Sequence, residues 1–283
     1  MKKLFALLLC AAMTAAMLTG CGEKTPEAQS AVEEKEDVSE TAQEGGKKTF
    51  TVGFDAEFPP YGYMDDNGEY VGFDLSLAQE VCDRNGWELV KQPINWDTKD
   101  MELSSGAIDC IWNGFTINGR EEEYTWSVPY VDNSQVFVVA ADAGIASSAD
   151  LAGKVVAVQA DSSALAALNS EENAEMTATF GSLNQFADYN TAFMDLEAGS
   201  VDAVAMDIGV ANYQIESREA GKFLILDDYI STEQYGVGFF LGNKELRDQV
   251  QNTLFEMLED GTFAKIAEEW GLSDVVCLSA DEK

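Results

Sequence analysis

The chain has no histidine among its 283 residues. That absence removes the commonest general base and the commonest metal ligand together. Hydrolases built on a Ser–His or Cys–His pair are excluded, leaving Asp, Glu, Lys and Tyr for any proton transfer. Basic residues are scarce as well: 17 Lys and Arg stand against 51 Asp and Glu, for a net charge of −34. Nucleic acid is bound through Lys and Arg on phosphates, so this composition argues against it as a partner. The acidity reads as a solvated surface, with a mild attraction for cationic solutes. Cysteine is sparse, at Cys10, Cys21, Cys82, Cys110 and Cys277, with no Cys-x-x-Cys spacing. No metal site or cofactor is expected from that pattern. One disulfide among the last three, or three thiols, both remain open. Long apolar runs are missing too. Leu4 to Leu18, broken only by Thr14, is shorter than the roughly 20 residues a bilayer span needs. No phosphate-cradling GxxxxGK[ST] run and no short-period repeat occurs.

Lys2 and Lys3, the apolar run and the small residues Thr19 and Gly20 form the pattern of an export signal. Leu18-Thr19-Gly20-Cys21 resembles the bacterial lipoprotein signal, in which the cysteine thiol is lipidated before cleavage. That resemblance makes residues 1–20 the signal and Cys21 an anchor in the lipid bilayer, on the extracytoplasmic face of the cell membrane. An ordinary secretory signal with an incidental cysteine is the alternative. Residues 21–48 are rich in Glu and Lys and have no aromatic side chain. Such a segment buries too little to fold and reads as a flexible tether of roughly 30 Å reach.

The remainder can build a core, since 46% of the chain is hydrophobic. Strands are expected at Thr49–Phe54, Ala107–Trp112, Gln135–Ala140, Lys154–Val158, Val201–Met206 and Val237–Leu241. Asp55–Gly68 reads as a loop. Leu75, Ala78, Val81 and Cys82 recur at helical spacing; Asn184–Ala198, Glu245–Glu259 and Phe263–Trp270 are further expected helices. Strands alternating with helices imply an α/β fold with mainly parallel sheets.

Phe54-Asp55-Ala56-Glu57-Phe58-Pro59-Pro60-Tyr61 and Gly72-Phe73-Asp74-Leu75-Ser76-Leu77-Ala78 resemble the opening motifs of the polar amino-acid-binding proteins of ABC importers. Ser76 replaces the family's usual acidic residue. Trp96-Asp97, Gly114-Phe115-Thr116-Ile117, Ser127-Val128-Pro129-Tyr130 and Leu151 to Gln159 follow in the family's order, as do Val201 to Asp207, Tyr235-Gly236 and Asp260-Gly261-Thr262. The resemblance implies a type II periplasmic-binding-protein-like clamshell with two lobes and two hinge crossings. Residues 49–130 and 235–283 would form lobe one and residues 131–234 lobe two, with crossings near Val131–Asn133 and Thr232–Gln234. It also implies a monomeric, non-enzymatic binder that captures a free L-amino acid by closure and delivers it to an ABC permease in the membrane. A ligand-sensing module and a dehydratase on the same fold are the alternatives.

A free amino acid needs a cation for its carboxylate, an anion for its ammonium and a surface for its side chain. The resemblance assigns the carboxylate to Arg120, whose guanidinium matches two oxygens at once. Thr116-Ile117-Asn118-Gly119-Arg120 is one residue shorter than the family's spacing, and a gapless register would place Glu121 there instead. Asp207 corresponds to the ammonium-binding carboxylate, although an Asp before a helix is also a common cap. Asn113, Gly114 and Thr116 would add an amide, backbone groups and a hydroxyl. Gln159, Ser162 and Ser163 would line the second lobe, the serines opening a helix whose N–H groups suit a carboxylate. Asp161 is a departure from the family there. It is read either as an N-cap or as a carboxylate brought into the cleft. Phe58 and Trp96 match the aromatic walls around the side chain, and Trp112 reads as core. Asp55, with Asp161, would favour a basic side chain.

Overall fold

The computed structural model describes residues 47–282. The signal, Cys21 and nearly all of the tether lie outside the described residues. Within residues 45–283, one unit by its contacts, the architecture is two mixed sheets flanked by helices.

The first sheet is assembled from both ends of the folded chain. Strand β1 (Thr49–Phe54), buried from Val52 to Phe54, pairs in parallel with β5 (Glu88–Pro93) and β6 (Cys110–Ile111). β14 (Gly238–Phe239) then pairs antiparallel with β6 and with β7 (Thr125–Trp126). A small antiparallel sheet of β2 (Glu57–Phe58), β3 (Gly62–Met64) and β4 (Tyr70–Val71) occupies much of the expected Asp55–Gly68 loop. Helix α1 (Phe73–Asn85) buries Leu75, Ala78, Val81 and Cys82, the face marked by helical spacing. It ends at Gly86 in the left-handed conformation, where glycine carries no Cβ penalty. α2 (Lys99–Ser104) follows a single 3-10 turn at Trp96–Thr98.

The second sheet runs in the order β10-β9-β11-β8-β12, with β13 also on β8. β9 (Val155–Gln159) is parallel to β10 (Ser182–Phe186) and β11 (Ala203–Asp207), whereas β8 (Val131–Ala140) is antiparallel to β11, β12 (Phe223–Ile225) and β13 (Ser231–Tyr235). Both sheets are therefore mixed rather than mainly parallel: β14 in the first and β8 in the second run opposite to the strands they pair with. α3 (Ser163–Leu168), α4 (Ala174–Thr177), α5 (Tyr189–Glu197) and α6 (Ile208–Glu216) belong to this half. α7 (Lys244–Asp260) and α8 (Thr262–Glu269) return to pack on α1.

The expected helix from Asn184 begins too early. Residues 182–186 form β10, an edge strand bonded to β9, and helix starts at Tyr189 after Asp188, whose carboxylate caps the Thr191 N–H at 2.7 Å. The side chains of β10 are all exposed or half-buried, so the strand carries no apolar alternation to announce it. The expected strand at Ala107–Trp112 contracts to Cys110–Ile111.

β8 and β13 are where the chain passes between the two sheets, and they pair with each other. Val131, Asp132 and Asn133 lie opposite Tyr235, Gln234 and Glu233. Cys82 and Cys110 are buried thiols whose ionisation is pushed up by burial, Cys82 to about 12. The Cys277 sulfur accepts a hydrogen bond from the Gln234 amide at 3.9 Å. Among the described residues no helix is long and apolar enough to cross a membrane.

Candidate functional site

A small cavity lies between the ends of the two sheets. One side is formed by Phe58, Trp96, Asn113 and Gly114, the other by Gln159, Ser162, Ser163 and Asp207. The segments are strand ends and the turns after them. There the backbone leaves the ladder and side chains can converge. The enclosed volume is about 10 Å³, room for about one water.

Several of the contacts around this cavity join the two sides. Gln159 donates from Nε2 to Asp55 Oδ2 at 2.6 Å and to the Ala187 carbonyl at 3.1 Å. Asp55 also accepts the Glu57 N–H at 2.9 Å. Burial pushes its carboxyl up to about 6 against the opposing pull of those two hydrogen bonds. Asp55 is not itself a wall of the cavity; its contact there runs through Gln159. The Asn113 side-chain oxygen accepts the Asp55 N–H at 3.0 Å, and its amide nitrogen has no protein acceptor.

Gly114 sits at φ +55°, and a Cβ there would meet Phe58 Cε1 at 2.7 Å and Tyr235 Cε2 at 3.1 Å, so only glycine fits. Its N–H is already committed, donating at 2.6 Å to Asp74 Oδ2. Asp74 also accepts from the Tyr130 hydroxyl at 2.8 Å, and burial raises its carboxyl to about 7. Of the two backbone groups expected from Gly114, the carbonyl alone is left for a solute. Asp74 was legible as part of a motif, but its task, fixing the Gly114 turn from 40 residues away, was not.

Arg120 is half-buried while Glu121 is exposed. The guanidinium lies 5.4 Å over the Phe115 ring and reaches the opposite side of the gap, donating to Ser163 Oγ at 3.0 Å and to the Asp161 carbonyl at 3.3 Å. Thr116 donates its hydroxyl to Glu233 at 2.8 Å. Ser162 caps α3, accepting the Leu165 N–H at 3.1 Å and donating to the Gln159 carbonyl at 2.8 Å. Arg120, Ser163 and Glu233 also border a wider groove of about 610 Å³ beside the cavity.

Asp207 stands at the N-cap position of α6, yet its side chain makes no capping bond. Its Oδ1 instead accepts from Asn133 Nδ2 at 2.8 Å, Gln135 Nε2 at 2.7 Å and the Tyr235 hydroxyl at 2.5 Å. Burial and the neighbouring Glu233 charge raise its carboxyl to about 7, against the pull of those donors.

Trp96 packs edge-on against Phe115 at 5.4 Å, and Phe58 packs on Tyr61 and Tyr189, each at 5.9 Å. Trp112 is fully buried in the core. Lys99 is a residue that the sequence patterns did not mark. Its side chain is 2% exposed, its ammonium lies 5.5 Å from the Trp96 ring centre, and it pairs with Asp161 across the gap. Asp161 is not the N-cap of α3, a place that Ser162 takes.

Residues 50–273 match the family described as bacterial extracellular solute-binding proteins, family 3. The chain belongs to that family. It is 29% identical over 230 residues to the L-cystine-binding protein TcyJ of Escherichia coli (strain K12), covering 80% of this chain and 84% of that one. It is 26% identical over 275 residues to the arginine-binding extracellular protein ArtP of Bacillus subtilis (strain 168), covering 95% and 98%. A crystal structure of an ABC uptake transporter substrate-binding protein from Streptococcus pneumoniae with bound histidine superposes with a TM-score of 0.77 at 32% identity, covering 81% of this chain and 95% of that one. The fold is that of the type II periplasmic binding proteins. The segment of this family 3 solute-binding protein that matches the family extends from β1 to beyond α8.

Proposed function

We propose that this solute-binding protein captures a polar L-amino acid between its two sheets and presents it to an ABC permease. The observation that carries the reading is the pairing of opposite chemistries in two adjoining spaces, Asp207 on the small cavity and Arg120 on the groove beside it, with Ser162 and Ser163 common to both. Arg120, turned across the gap, offers a guanidinium to a carboxylate. Asp207, held by three neutral donors, offers a carboxylate to an ammonium. Phe58 and Trp96 supply the apolar walls for the side chain, and Asn113, Gln159, Ser162 and Ser163 the polar ones; Thr116 is not a wall of the cavity and spends its hydroxyl on Glu233. The relatives named for cystine, arginine and histidine support an amino acid as the solute class.

A cavity of about 10 Å³ does not admit an amino acid. We take residues 49–130 with 235–283 as one lobe and 131–234 as the other, which part about β8 and β13 to admit the solute and close over it. In the closed arrangement Arg120 to Ser163, Gln159 to Asp55, Lys99 to Asp161 and Asn190 to Glu57 are among the contacts between them. The carboxylates expected to receive a basic side chain are both engaged, Asp55 by Gln159 and Asp161 by Lys99, and Lys99 already occupies the cation position near Trp96. A charged side chain of either sign would have to break one of these pairs. These pairs favour a polar side chain over a charged one.

Location follows from the N-terminus. Cys21, lipidated before the signal is removed, would hold the protein at the outer face of the membrane within reach of its permease. Two acyl chains anchor firmly where one does not. A neighbouring fold is that of an ancestral amino acid-binding protein described as a precursor of cyclohexadienyl dehydratase, at 30% identity and a TM-score of 0.71. The Arg120 and Asp207 arrangement favours holding a zwitterion over transforming a substrate.

The test is a thermal-shift panel on the purified chain with the twenty L-amino acids, L-ornithine and L-cystine. A ligand at 100 times its Kd adds about 2.7 kcal/mol to stability. One or a few polar members should raise Tm by several degrees; a flat response across the panel would overturn the reading.

A further inference from the structure

Glu233 has no task in the function proposed above, yet it is built into the same network. It lies on β13, directly opposite Asn133 of β8, where the chain passes between the sheets. Its Oε1 accepts from Asn133 Nδ2 and Gln135 Nε2, both at 2.7 Å, and from the Thr116 hydroxyl at 2.8 Å. The same two amide nitrogens serve Asp207 Oδ1. Both amides are turned so far toward the carboxylates that Asn133 Oδ1 and Gln135 Oε1 are buried without a donor. Every group donating to the two carboxylates is neutral. Among the described residues neither carboxylate forms an ion pair.

We propose that Glu233 is a positioning residue for the solute's ammonium: with Asp207 it forms a buried carboxylate pair that lacks a cation until the ammonium arrives. The inference rests on the amino-acid reading and deepens it. The Glu233 carboxylate beside buried Asp207 disfavours the ionised form of Asp207, and two buried amides cannot neutralise that charge. A cation entering beside Asp207 relieves that repulsion, and it does so at the joint between β8 and β13. Arrival of the solute and the settling of the two connecting strands thus share one charge balance.

The groups around the pair leave no other candidate for that balance. Tyr61, Tyr189 and Tyr235 face it as phenols kept protonated by burial and by the nearby carboxylates. Asp74 adds negative charge beside Tyr61. Arg120, bordering the same groove as Glu233, spends its guanidinium on the Thr116 carbonyl at 3.5 Å, on Ser163 and on the Asp161 carbonyl.

Glu233→Gln in the full chain tests the assignment, compared with the wild type between pH 5 and 8. Without ligand, removing the Glu233 charge relieves Asp207 when it is ionised and does nothing when it is protonated. The Tm of the variant relative to the wild type should therefore rise from pH 5 to pH 8. With the amino acid that gives the largest shift in the panel, protons compete with the ammonium for Asp207. The wild-type Kd should weaken about 10-fold from pH 8 to pH 6, and the variant's by less than about 3-fold. Identical pH dependence of Kd in the two proteins overturns the proposal, even if the ligand-free difference appears. Should no amino acid bind the wild type, the amino-acid reading fails by itself, while the ligand-free comparison still decides whether the pair exists.

Discussion

Lys99, at the start of α2, forms an ion pair with Asp161 just before α3, so that segments from the two sheets are joined over the Trp96 ring. Asp161 is the one non-glycine residue among those described with a positive φ, at 56°. An L-residue in that region carries a steric cost, and Asp bears it better than most. The position is one where glycine would be at ease. A carboxylate stands there, and it reaches a lysine that is almost fully buried.

Asp161→Gly and Asp161→Ala both delete the carboxylate, but only alanine keeps a Cβ at this φ. The glycine variant should be the more stable of the two by about 1 kcal/mol, a Tm difference of about 2–4 °C for a domain of this size. Equal melting temperatures would show that the backbone does not hold this conformation in solution. In both variants Lys99 retains Asp100, at 3.8 Å, as a partner.

Arg120→Ala should weaken amino-acid binding about 100-fold, and Arg120→Lys at least about 10-fold, because lysine keeps the charge and loses the two-pronged geometry. Isothermal titration with the panel's best ligand measures both. The ligand-free fold should be little affected, since the bond from Trp126 Nε1 to the Arg120 carbonyl, 2.9 Å, is made to the backbone. Unchanged affinity in Arg120→Ala would remove this residue from the site.

The ligand-free protein should melt at a lower temperature at pH 8 than at pH 5. Asp55, Asp74 and Asp207 are raised to about 6, 7 and 7 by burial, above the 3.8 of the unfolded chain. The fold therefore holds protons that the unfolded chain releases. Their contribution is complete at low pH and is lost as pH rises through 6 to 7. Differential scanning calorimetry across that range decides the matter, and a Tm that climbs toward pH 8 would contradict it. Asp74→Asn should reduce stability by about 1–3 kcal/mol, because the Gly114 N–H and the Tyr130 hydroxyl donate to different oxygens of Asp74 and the amide turns one of those acceptors into a donor.

Cys21→Ser should move the protein from the membrane fraction to the medium while the thermal-shift response to amino acids is retained. Continued fractionation with membranes would sink the lipid-anchor reading.

What sequence alone determined is the order of motifs, and with it the fold class and most of the cavity wall. Phe58, Trp96, Asn113, Gly114, Gln159, Ser162, Ser163 and Asp207 lie at strand ends and adjacent turns, where position in the chain nearly dictates position in space. Only the tertiary structure decided the partners. Asp207 could be the side-chain cap of α6 until its carboxylate was found turned away toward Asn133, Gln135 and Tyr235. Residues 182–186 became a strand because β9 offers an unpaired edge, a fact no local periodicity holds. Asp74, Lys99 and Glu233 act on residues 40, 62 and 100 positions away, on Gly114, Asp161 and Asn133. Charge pairing across such separations follows from burial and distance, which local sequence does not encode.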